Sequence, residues 1–396
     1  MVAKEPRLYS VLPTLPIQQF MIIGVPKEIK VHEYRVALLP FGVDEFVQAE
    51  HAVLIQCDSG IGAGIPNEEY ERAGAKIIDT AEEIFAKADM IMKVKEPQPQ
   101  EVKMLRKGQI LFTYLHLAAD QKLTEGIINS GCRAIAYETM VDHQGHLPLL
   151  TPMSEVAGRL SIQEGARHLC KSQGGRGVLL CGVPGVAPGK VVVIGGGIAG
   201  SCAARVAAGF GANVVILDTN IDRLRYLSDV MPSNVDVVFS NRHEIHKQIA
   251  EADLVIGAVL IPGAKAPHLI RREDLKLMQP GSVIVDIAID QGGCVETARP
   301  TTHAEPTYVV DGIIHYCVAN MPGAVSRTST AALCNATFPW AKEIARFGND
   351  LVGATEKHSQ IAHGINAFDG ELTCKPVADS FGLPWSDRFV KNYWAN

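Results

Sequence analysis

Four polar residues lie where the apolar runs of this chain end. His116 closes the run "QILFTYLH", Lys95 closes "DMIMKVK", and Arg35 lies in the loop that leaves "MIIGVP". Asp290 closes "SVIVDIAID" in the second half of the chain and precedes a Gln-Gly-Gly turn. Because ligands of open α/β sheets bind outside the carboxyl ends of the strands, we expect the four side chains to meet in one cleft.

The chemistry that these groups fit is hydride transfer next to a carboxylate. Arg35 offers two parallel hydrogen bonds to a carboxylate, and Lys95 offers a point charge to a carbonyl oxygen. An imidazole such as that of His116 exchanges protons with a carbonyl, a carbinolamine or an amine near neutral pH. Asp290 is expected to act as a second acid or base, or to orient the histidine and a water. The residues alone leave open which of the two takes the proton.

Each of these residues also has a purely structural interpretation. A lone histidine in an apolar run is often a hydrogen-bonded core residue, and Lys95 fits a solvated strand end. Arg35 fits a surface ion pair and Asp290 a turn or helix cap. Lys93, two residues from Lys95 on the same strand face, competes with it for the functional role. The functional interpretation depends on four such residues at four strand ends beside a dinucleotide motif.

That motif is "VVVIGGGIAGSCAARVAAGFGANVVILD", which places Gly195, Gly197 and Gly200 in GxGxxG spacing between a strand and a helix. The first glycine permits the tight turn, the second lets backbone approach a pyrophosphate, and the third lets the helix pack on the strand. Asp218 ends the next strand, where its carboxylate can accept hydrogen bonds from a ribose diol and repel a 2′-phosphate. The motif therefore predicts NAD rather than NADP, and a glycine turn with an unrelated aspartate is the structural alternative.

The pattern of apolar runs predicts an α/β fold with two Rossmann-like doubly wound domains and a cleft between them. The predicted division is an N-terminal extension over 1–20, a discontinuous substrate domain over 21–150 plus 325–396, and an NAD-binding domain over 151–324. A connecting helix is expected over 152–172, capped by Thr151 and ended by Gly174 and Gly175. From about residue 325 the pattern predicts helices with terminal turns.

Composition excludes several classes of protein. The 396 residues carry a net charge of −6 without a dense basic cluster, which speaks against nucleic acid or an anionic membrane as partner. Nine cysteines without CxxC spacing argue against a disulfide framework or structural zinc, and a reducing cytoplasm fits best. The apolar region 191–217 is interrupted by glycines and polar residues, so no transmembrane helix is expected. The first twenty residues make a poor signal or transit peptide.

From about Met21 to Ala378 the chain resembles the bacterial L-alanine dehydrogenases, within the family that they form with the transhydrogenase alpha subunit. The resemblance runs through "GVPKE", "YRVALLP", "KVKEP", "LFTYLHLAA", "LPLLTPMSEVAGRL", "GGRGVLLCGVPG", "GAVLIPGAKAP", "DIAIDQGGCVE" and "CVANMPGAV". It implies reversible oxidative deamination of L-alanine with NAD to pyruvate, ammonia and NADH, on two Rossmann-like domains. It also implies a homo-oligomer, usually a hexamer.

Matched residue by residue, the resemblance implies substrate binding by Arg35 and Lys95 and catalysis by His116 and Asp290. The cofactor contacts that the motif and the resemblance imply together are Ser154, Gly195, Gly197, Ile198, Gly200, Asp218, Arg223, Ser240, Val259, Leu260, Ile287, Ala288, Ile289, Asp290, Arg299, Val318, Ala319, Asn320 and Met321.

Departures from the family pattern are few. Cys181 stands where glycine is usual, Arg223 where lysine is frequent, and Phe347 where a metal contact would need histidine, so no metal is assigned. Ser154 has a plain alternative as a helix cap. His143 and His146 have ligand-like spacing but are interpreted as a solvated turn.

Three other functions remain as alternatives. The NAD-binding subunit of proton-translocating transhydrogenase shares the two-domain plan but needs neither a substrate histidine nor a substrate arginine. Saccharopine-type dehydrogenases share the architecture but act on a far longer substrate. A catalytically silent dinucleotide-binding protein would have the same fold, so fold alone does not distinguish it from an enzyme.

Overall fold

A computed structural model describes residues 19–259 and 267–389, apart from the side chain of Gln291. Residues 1–18, which form most of the expected N-terminal extension, lie outside the described residues, and so does the expected cofactor residue Leu260. No described helix combines the length and the apolar composition needed to cross a bilayer.

The first half of the chain alternates strands and helices. Its elements are β1 (Ile22–Val25), α1 (Pro40–Gln48), β2 (Ala52–Gln56), α2 (Asn67–Arg72), β3 (Lys76–Ile78), α3 (Ala81–Lys87), β4 (Met90–Met92), α4 (Pro99–Val102), β5 (Ile110–Thr113), α5 (Gln121–Ser130), β6 (Arg133–Ala136) and α6 (Thr151–His168).

The second half repeats the alternation and ends in helices and a short hairpin. Its elements are β7 (Lys190–Ile194), α7 (Ile198–Gly209), β8 (Asn213–Asp218), α8 (Ile221–Val230), β9 (Val235–Phe239), α9 (Arg242–Glu251), β10 (Leu254–Gly257), β11 (Val283–Asp286), β12 (Thr307–Val310), β13 (Ile313–Tyr316), α10 (Ser326–Phe347), α11 (Leu351–Lys357), α12 (Ser359–Gly364), β14 (Ile365–Phe368), β15 (Glu371–Leu372) and α13 (Lys375–Phe381).

Two sheets result, and their parallel parts have the same strand order. The first runs β15-β14-β6-β5-β4-β1-β2-β3 and the second β12-β13-β11-β10-β7-β8-β9. In each, the chain winds outward in both directions from a central pair, β1 with β4 and β7 with β10. This doubly wound order confirms the expected fold class, and it opens a ligand crevice at the carboxyl edge of each central pair.

Burial on both faces explains why the strands are short and uniformly apolar. In β5, Ile110 and Phe112 pack into one core and Leu111 into the opposite one. In β10, Leu254 and Ile256 face one core and Val255 the other. Parallel strands covered by helices on both sides need apolar residues at every position, which is the pattern read from the sequence.

Helix α6 joins the two sheets, as expected, but its ends differ from the expectation. Met153 and Val156 pack into a core of the first sheet, whereas Ala157 and Leu160 pack into a core of the second. Thr151 is the first helical residue rather than the cap. The helix ends at His168 instead of near residue 172, because the chain then turns extended before a separate 3₁₀ turn.

The expectation of helices with turns after about residue 325 was incomplete, and a hairpin before it was also missed. β12 and β13 are joined by Asp311-Gly312, and β14 and β15 by Asp369-Gly370; all four residues have φ between 50° and 99°. An Asp-Gly pair between apolar runs is a strong hairpin signal, because both central residues of the tight turn need positive φ. The dipeptides were therefore a readable signal in the sequence.

Candidate active site

The residues expected to contact a dinucleotide follow the carboxyl ends of the strands in the second sheet. Every parallel strand of that sheet is followed by at least one of them. The glycine turn follows β7, Asp218 ends β8, Ser240 follows β9, Val259 follows β10, the turn Ile287–Gln291 follows β11, and Val318 to Met321 follow β13. The structure therefore brings these residues to one edge of the sheet.

The glycine turn is closely packed on one side and open on the other. Gly195 has φ 100°, and a Cβ on Gly200 would lie 1.8 Å from the carbonyl oxygen of Gly195. A Cβ on Gly197, by contrast, would meet nothing within 4 Å. Gly197 caps α7, whose first residue is Ile198. The turn thus presents open backbone at the positive end of a helix, which is the environment a pyrophosphate needs.

Asp218 and Arg223 hold this turn in place. Asp218 Oδ2 accepts a hydrogen bond from Gly196 N at 2.7 Å, and its backbone oxygen accepts from Ser240 N at 2.8 Å. The Nε of Arg223 donates to the carbonyl oxygen of Gly196 at 2.6 Å, and its guanidinium stacks 5.0 Å from the centre of the Tyr226 ring. Arg223 therefore stabilises the glycine turn directly.

Helix α6 approaches the same turn. A Cβ on Gly158 would lie 2.1 Å from the carbonyl oxygen of Ala199, so only glycine permits this contact. Ser154 lies four residues earlier and shares that face of the helix. Its hydroxyl makes no hydrogen bond to the residues that the structure describes, so it does not cap α6.

The carboxyl edge of the first sheet holds the residues expected to contact the substrate. Arg35 is buried, and its Nε and Nη2 donate to the two carboxylate oxygens of Glu33 at 2.6 and 2.5 Å. Its Nη2 also donates to Asn320 Oδ1 at 3.0 Å, and its Nη1 contacts Met153 Sδ at 3.0 Å. The two parallel hydrogen bonds expected with a substrate carboxylate are thus formed with Glu33 instead.

Asn320 links the two sheets at this point. Its Nδ2 donates to Glu33 Oε2 at 2.9 Å, while its backbone oxygen contacts His303 Nε2 at 2.8 Å. Burial opposes ionisation of Glu33, but its bonds with Arg35 and Asn320 outweigh that effect and lower the pKa of its carboxyl group. Glu33 is therefore ionised and offsets the charge of Arg35.

Lys93 and Lys95 have separate environments. The side chain of Lys93 is 0% exposed and pairs with Glu28 at 3.0 Å and Glu101 at 2.8 Å. Lys95 is also buried, but its Nζ has no hydrogen bond or ion pair with any residue in the described part of the chain. Burial is the main reason that the pKa of Lys95 is lowered. Lys93 is thus part of an internal ion cluster, and Lys95 offers its ammonium group to the cleft.

His116 lies three residues beyond the end of β5 and is not a core residue. Its side chain is 36% exposed, and its backbone has φ 50°. Its backbone N donates to Glu138 Oε1 at 2.6 Å, and its Nδ1 lies 3.4 Å from Glu96 Oε2. Two carboxylates therefore hold this histidine, one through its backbone and one through its ring.

Asp290 was expected to end a strand, but β11 stops at Asp286 and Asp290 lies in the 3₁₀ turn that follows. Asp286 causes this change, because its Oδ1 accepts a hydrogen bond from Ala288 N at 3.1 Å and so starts the turn. The side chain of Asp290 is accessible to water within the cleft.

The cleft walls nevertheless weaken the solvation of Asp290. This desolvation raises the pKa of its carboxyl group, and the nearby charges of Lys95 and His116 only partly oppose the shift. The same interactions bring Lys95, His116 and Asp290 into one electrostatic group. Asp290 of the second sheet's edge thus interacts with Lys95 and His116 of the first.

Arg299 lies on the second sheet near this edge. Its guanidinium stacks 4.3 Å from the centre of the Tyr308 ring, and its backbone N donates to Tyr308 Oη at 2.7 Å. The ring holds the arginine in place, and the guanidinium donates no hydrogen bond to any of the residues that the structure describes.

Sequence reasoning missed three carboxylates of the site: Glu33, Glu96 and Glu138. Glu96 follows β4 and Glu138 follows β6, so the strand-end criterion that selected Lys95 and His116 would have found both. Glu33 carried no comparable signal beyond lying two residues from Arg35 in the sequence.

No group of three or more His, Cys, Asp or Glu side chains suited to a metal ion occurs within the described residues. Phe347 packs against His358 with ring centres 6.3 Å apart. His143 and His146 lie in an exposed turn, as expected, where His146 Nδ1 is 3.2 Å from Asp142 Oδ2.

Comparison with known proteins places this geometry in a family. Residues 24–157 match the family model "Alanine dehydrogenase/PNT, N-terminal domain", and residues 161–375 match "Alanine dehydrogenase/PNT, C-terminal domain". The chain is 55% identical over 365 residues to the alanine dehydrogenase of Halomonas elongata, covering 92% of this chain and 98% of that protein. It is 53% identical over 366 residues to the alanine dehydrogenase of Bacillus subtilis, covering 92% and 96%.

Solved structures agree. An L-alanine dehydrogenase superimposes with a TM-score of 0.87 at 51% identity, over 91% of this chain and 99% of that one. A transhydrogenase from Sinorhizobium meliloti superimposes with a TM-score of 0.76 at 24% identity, over 89% and 99%, which is a likeness of fold. The resemblance inferred from the sequence is confirmed, and the chain belongs to the alanine dehydrogenase/PNT family.

Proposed function

We propose that this protein catalyses the NAD-dependent, reversible oxidative deamination of L-alanine to pyruvate and ammonia. The observation that carries the proposal is the ammonium group of the buried residue Lys95, which has no hydrogen bond or ion pair among the described residues and acts on Asp290 together with His116. The identity of 49–55% to alanine dehydrogenases over nearly their full length supports it.

The residues at the second sheet fit a dinucleotide. The open backbone at Gly197 suits the pyrophosphate, and Asp218 has further lone pairs for a ribose diol although both of its oxygens already accept backbone hydrogen bonds. A 2′-phosphate would meet the negative charge of Asp218, which supports NAD over NADP. When bound, the nicotinamide would accept hydride from Cα of the amino acid.

The other parts of the reaction are proton transfers and charge stabilisation, which the chain's own residues supply. Lys95 would bind the substrate carboxylate or the carbonyl oxygen of pyruvate. Because Glu33 already occupies the Nε and Nη2 edge of Arg35, the guanidinium would act through its remaining Nη1 side.

Proton transfer accompanies three steps of the reaction. The ammonium group of alanine loses a proton before hydride leaves Cα, and water loses a proton as it adds to the imine carbon. The carbinolamine then gains a proton on nitrogen and loses one from its hydroxyl group as ammonia leaves. His116 and Asp290 are the groups assigned to these proton transfers. The raised pKa of Asp290 favours its use as a general acid as well as a base.

A purified-enzyme assay tests this function. Oxidation of NADH should require both pyruvate and ammonium, and NADPH should not replace NADH. Oxidation with pyruvate alone would instead indicate a 2-hydroxy-acid dehydrogenase, and no oxidation would contradict the proposal.

Gly197→Ala should raise the dissociation constant for NAD by about tenfold or more, equivalent to about 1.4 kcal/mol. The added methyl group meets no protein atom within 4 Å, so the fold should be retained while the open backbone of the turn is covered. Isothermal titration calorimetry with NAD measures the change.

Gly209→Ala is the matched control, because Gly209 ends the helix that Gly197 caps and its Cβ would also meet nothing within 4 Å. It should bind NAD like the wild type. Equal NAD affinity for the two variants would contradict the assignment of Gly197 to the cofactor site.

The substrate domain would comprise 21–150 with 325–396 and the NAD-binding domain 151–324, supported by β14 and β15 joining the first sheet. A homohexamer and a cytoplasmic location are supported by the family resemblance.

A further inference from the structure

Glu96 lies between a lysine and the proposed acid-base histidine. Its side chain is only 16% exposed, and its Oε1 accepts a hydrogen bond from Lys30 Nζ. Its Oε2 faces His116 Nδ1 at 3.4 Å. That Oε2 is buried and has no well-formed hydrogen bond within the described residues, so the imidazole is its nearest available partner. The two oxygens of one carboxylate are thus divided between a cation and a ring nitrogen.

Glu138 cannot take the place of Glu96. Its two oxygens accept backbone hydrogen bonds from Leu115 N at 3.1 and 3.2 Å, and from His116 N at 2.6 Å. These bonds hold His116 in its left-handed backbone conformation and so fix the position of its Cβ atom. The rotation of the ring and its tautomer are determined instead by the groups that face its nitrogens.

Within the described chain, one aromatic ring and two carboxylates interact with the ring of His116. Tyr114 lies alongside it with ring centres 5.8 Å apart. Lys95 and Lys30 act on Glu96 and Asp290 and, as cations, offer no acceptor, while Asp290 interacts with His116 from the second sheet. Glu96 is the acceptor on the Nδ1 side.

We propose that Glu96 is a positioning residue that holds His116 as the Nδ1–H tautomer and leaves Nε2 unprotonated to take the substrate's proton. This inference rests on the proposed function. A neutral imidazole carries its hydrogen on one nitrogen, so an acceptor at Nδ1 decides that Nε2 is the base. The 3.4 Å separation is long, and such hydrogen bonds often tighten when substrate is bound.

The ionisation state of Glu96 agrees with this role. Burial raises the pKa of its carboxyl group, but His116, Lys95 and Lys30 outweigh burial and the net shift is downward. Glu96 is therefore a carboxylate throughout the range in which an imidazole titrates, and it is an acceptor only.

The variant Glu96→Gln tests this role, because Lys30 determines how the new amide group is oriented. In Glu96→Gln the amide oxygen should turn to Lys30, since an ammonium group can only donate. The amide NH₂ then faces Nδ1 and donates to it, which forces the hydrogen of the imidazole onto Nε2. Removing the cation in Lys30→Met/Glu96→Gln frees the amide to rotate and accept from Nδ1–H again.

The experiment is solid-state NMR of enzyme with ¹⁵N-labelled histidine, with the signals of His116 assigned by their loss in His116→Gln. At mildly alkaline pH the wild type and Lys30→Met should show the Nδ1–H tautomer. Glu96→Gln should show Nε2–H, and the double variant should return to Nδ1–H.

Steady-state kinetics provide the second readout. Glu96→Gln should lose about 10²- to 10⁴-fold in kcat for alanine, as when a catalytic imidazole is held in the wrong tautomer. The double variant should recover up to about tenfold, the worth of one hydrogen bond. Unchanged NAD affinity in each variant would show that the protein is folded.

Retention of Nδ1–H in Glu96→Gln would overturn the proposal, and so would a double variant no better than the single one. A wild-type enzyme inactive on alanine would contradict the proposed function, while the tautomer of His116 would still be measurable by NMR.

Discussion

His116→Ala is expected to lower the turnover of L-alanine by about 10²- to 10⁴-fold, the usual contribution of a general acid-base group. The histidine follows β5 at the cleft, with its backbone fixed by Glu138 and its ring facing Glu96. Removal of the ring leaves Asp290 as the remaining assigned proton carrier. Initial rates of NADH formation with saturating NAD measure the loss.

His146→Ala is a suitable control for this variant. His146 lies in an exposed turn, where its side chain is 65% exposed and pairs with Asp142. It should retain wild-type turnover. Both variants should bind NAD normally, because neither residue follows a strand of the second sheet. Wild-type turnover in His116→Ala would show that the acid-base assignment is wrong.

The parts of this site that could be read from the sequence depend on one topological rule. Parallel strands bring their carboxyl ends to the same edge, so a polar residue after an apolar run has a predictable place. Gly195, Asp218 and Ser240 meet at one edge because consecutive strands of the second sheet place them there. The rule needs only the periodicity of apolar residues and tolerates errors of a few residues, as the positions of His116 and Asp290 illustrate.

The parts that could not be read depend on side-chain pairing between distant segments. Arg35 was expected to be free for a substrate carboxylate, but Glu33 and Asn320 engage it, and Asn320 comes from the other half of the chain. Strand alternation gave Lys93 and Lys95 the same face. The difference between them comes from Glu28, whose position relative to β4 no local pattern specifies.

Net charge in the cleft follows from these pairings. Glu33 offsets Arg35, and Glu96 is shared between Lys30 and His116. Lys95 is left as a cation without a counterion within hydrogen-bond distance in the described chain. A substrate carboxylate would supply that missing partner. Under the proposed function, attraction to the substrate carboxylate would therefore offset part of the desolvation cost of Lys95.

Because the two lysines have different roles, their substitution should have different effects on the free energy of unfolding and on turnover. Lys93→Met should reduce the free energy of unfolding by about 3–5 kcal/mol, the range for removing one partner of a buried ion cluster. Burial raises the pKa of the Glu28 carboxyl group, and Lys93 is the main influence opposing that shift. Without Lys93, Glu28 and Glu101 would face each other in a dry interior. Urea unfolding measures the change.

Lys95→Met should leave the free energy of unfolding unchanged or slightly increased, because it removes a buried cation whose pKa is lowered by burial and breaks no ion pair with a described residue. It should instead weaken turnover of alanine and reduction of pyruvate. The two substitutions are chemically identical and only two residues apart in the chain. A lower free energy of unfolding for Lys95→Met, with no change for Lys93→Met, would reverse the roles assigned to the two lysines. The contrast thus separates Lys93, which stabilises the fold, from Lys95, which we propose binds the substrate.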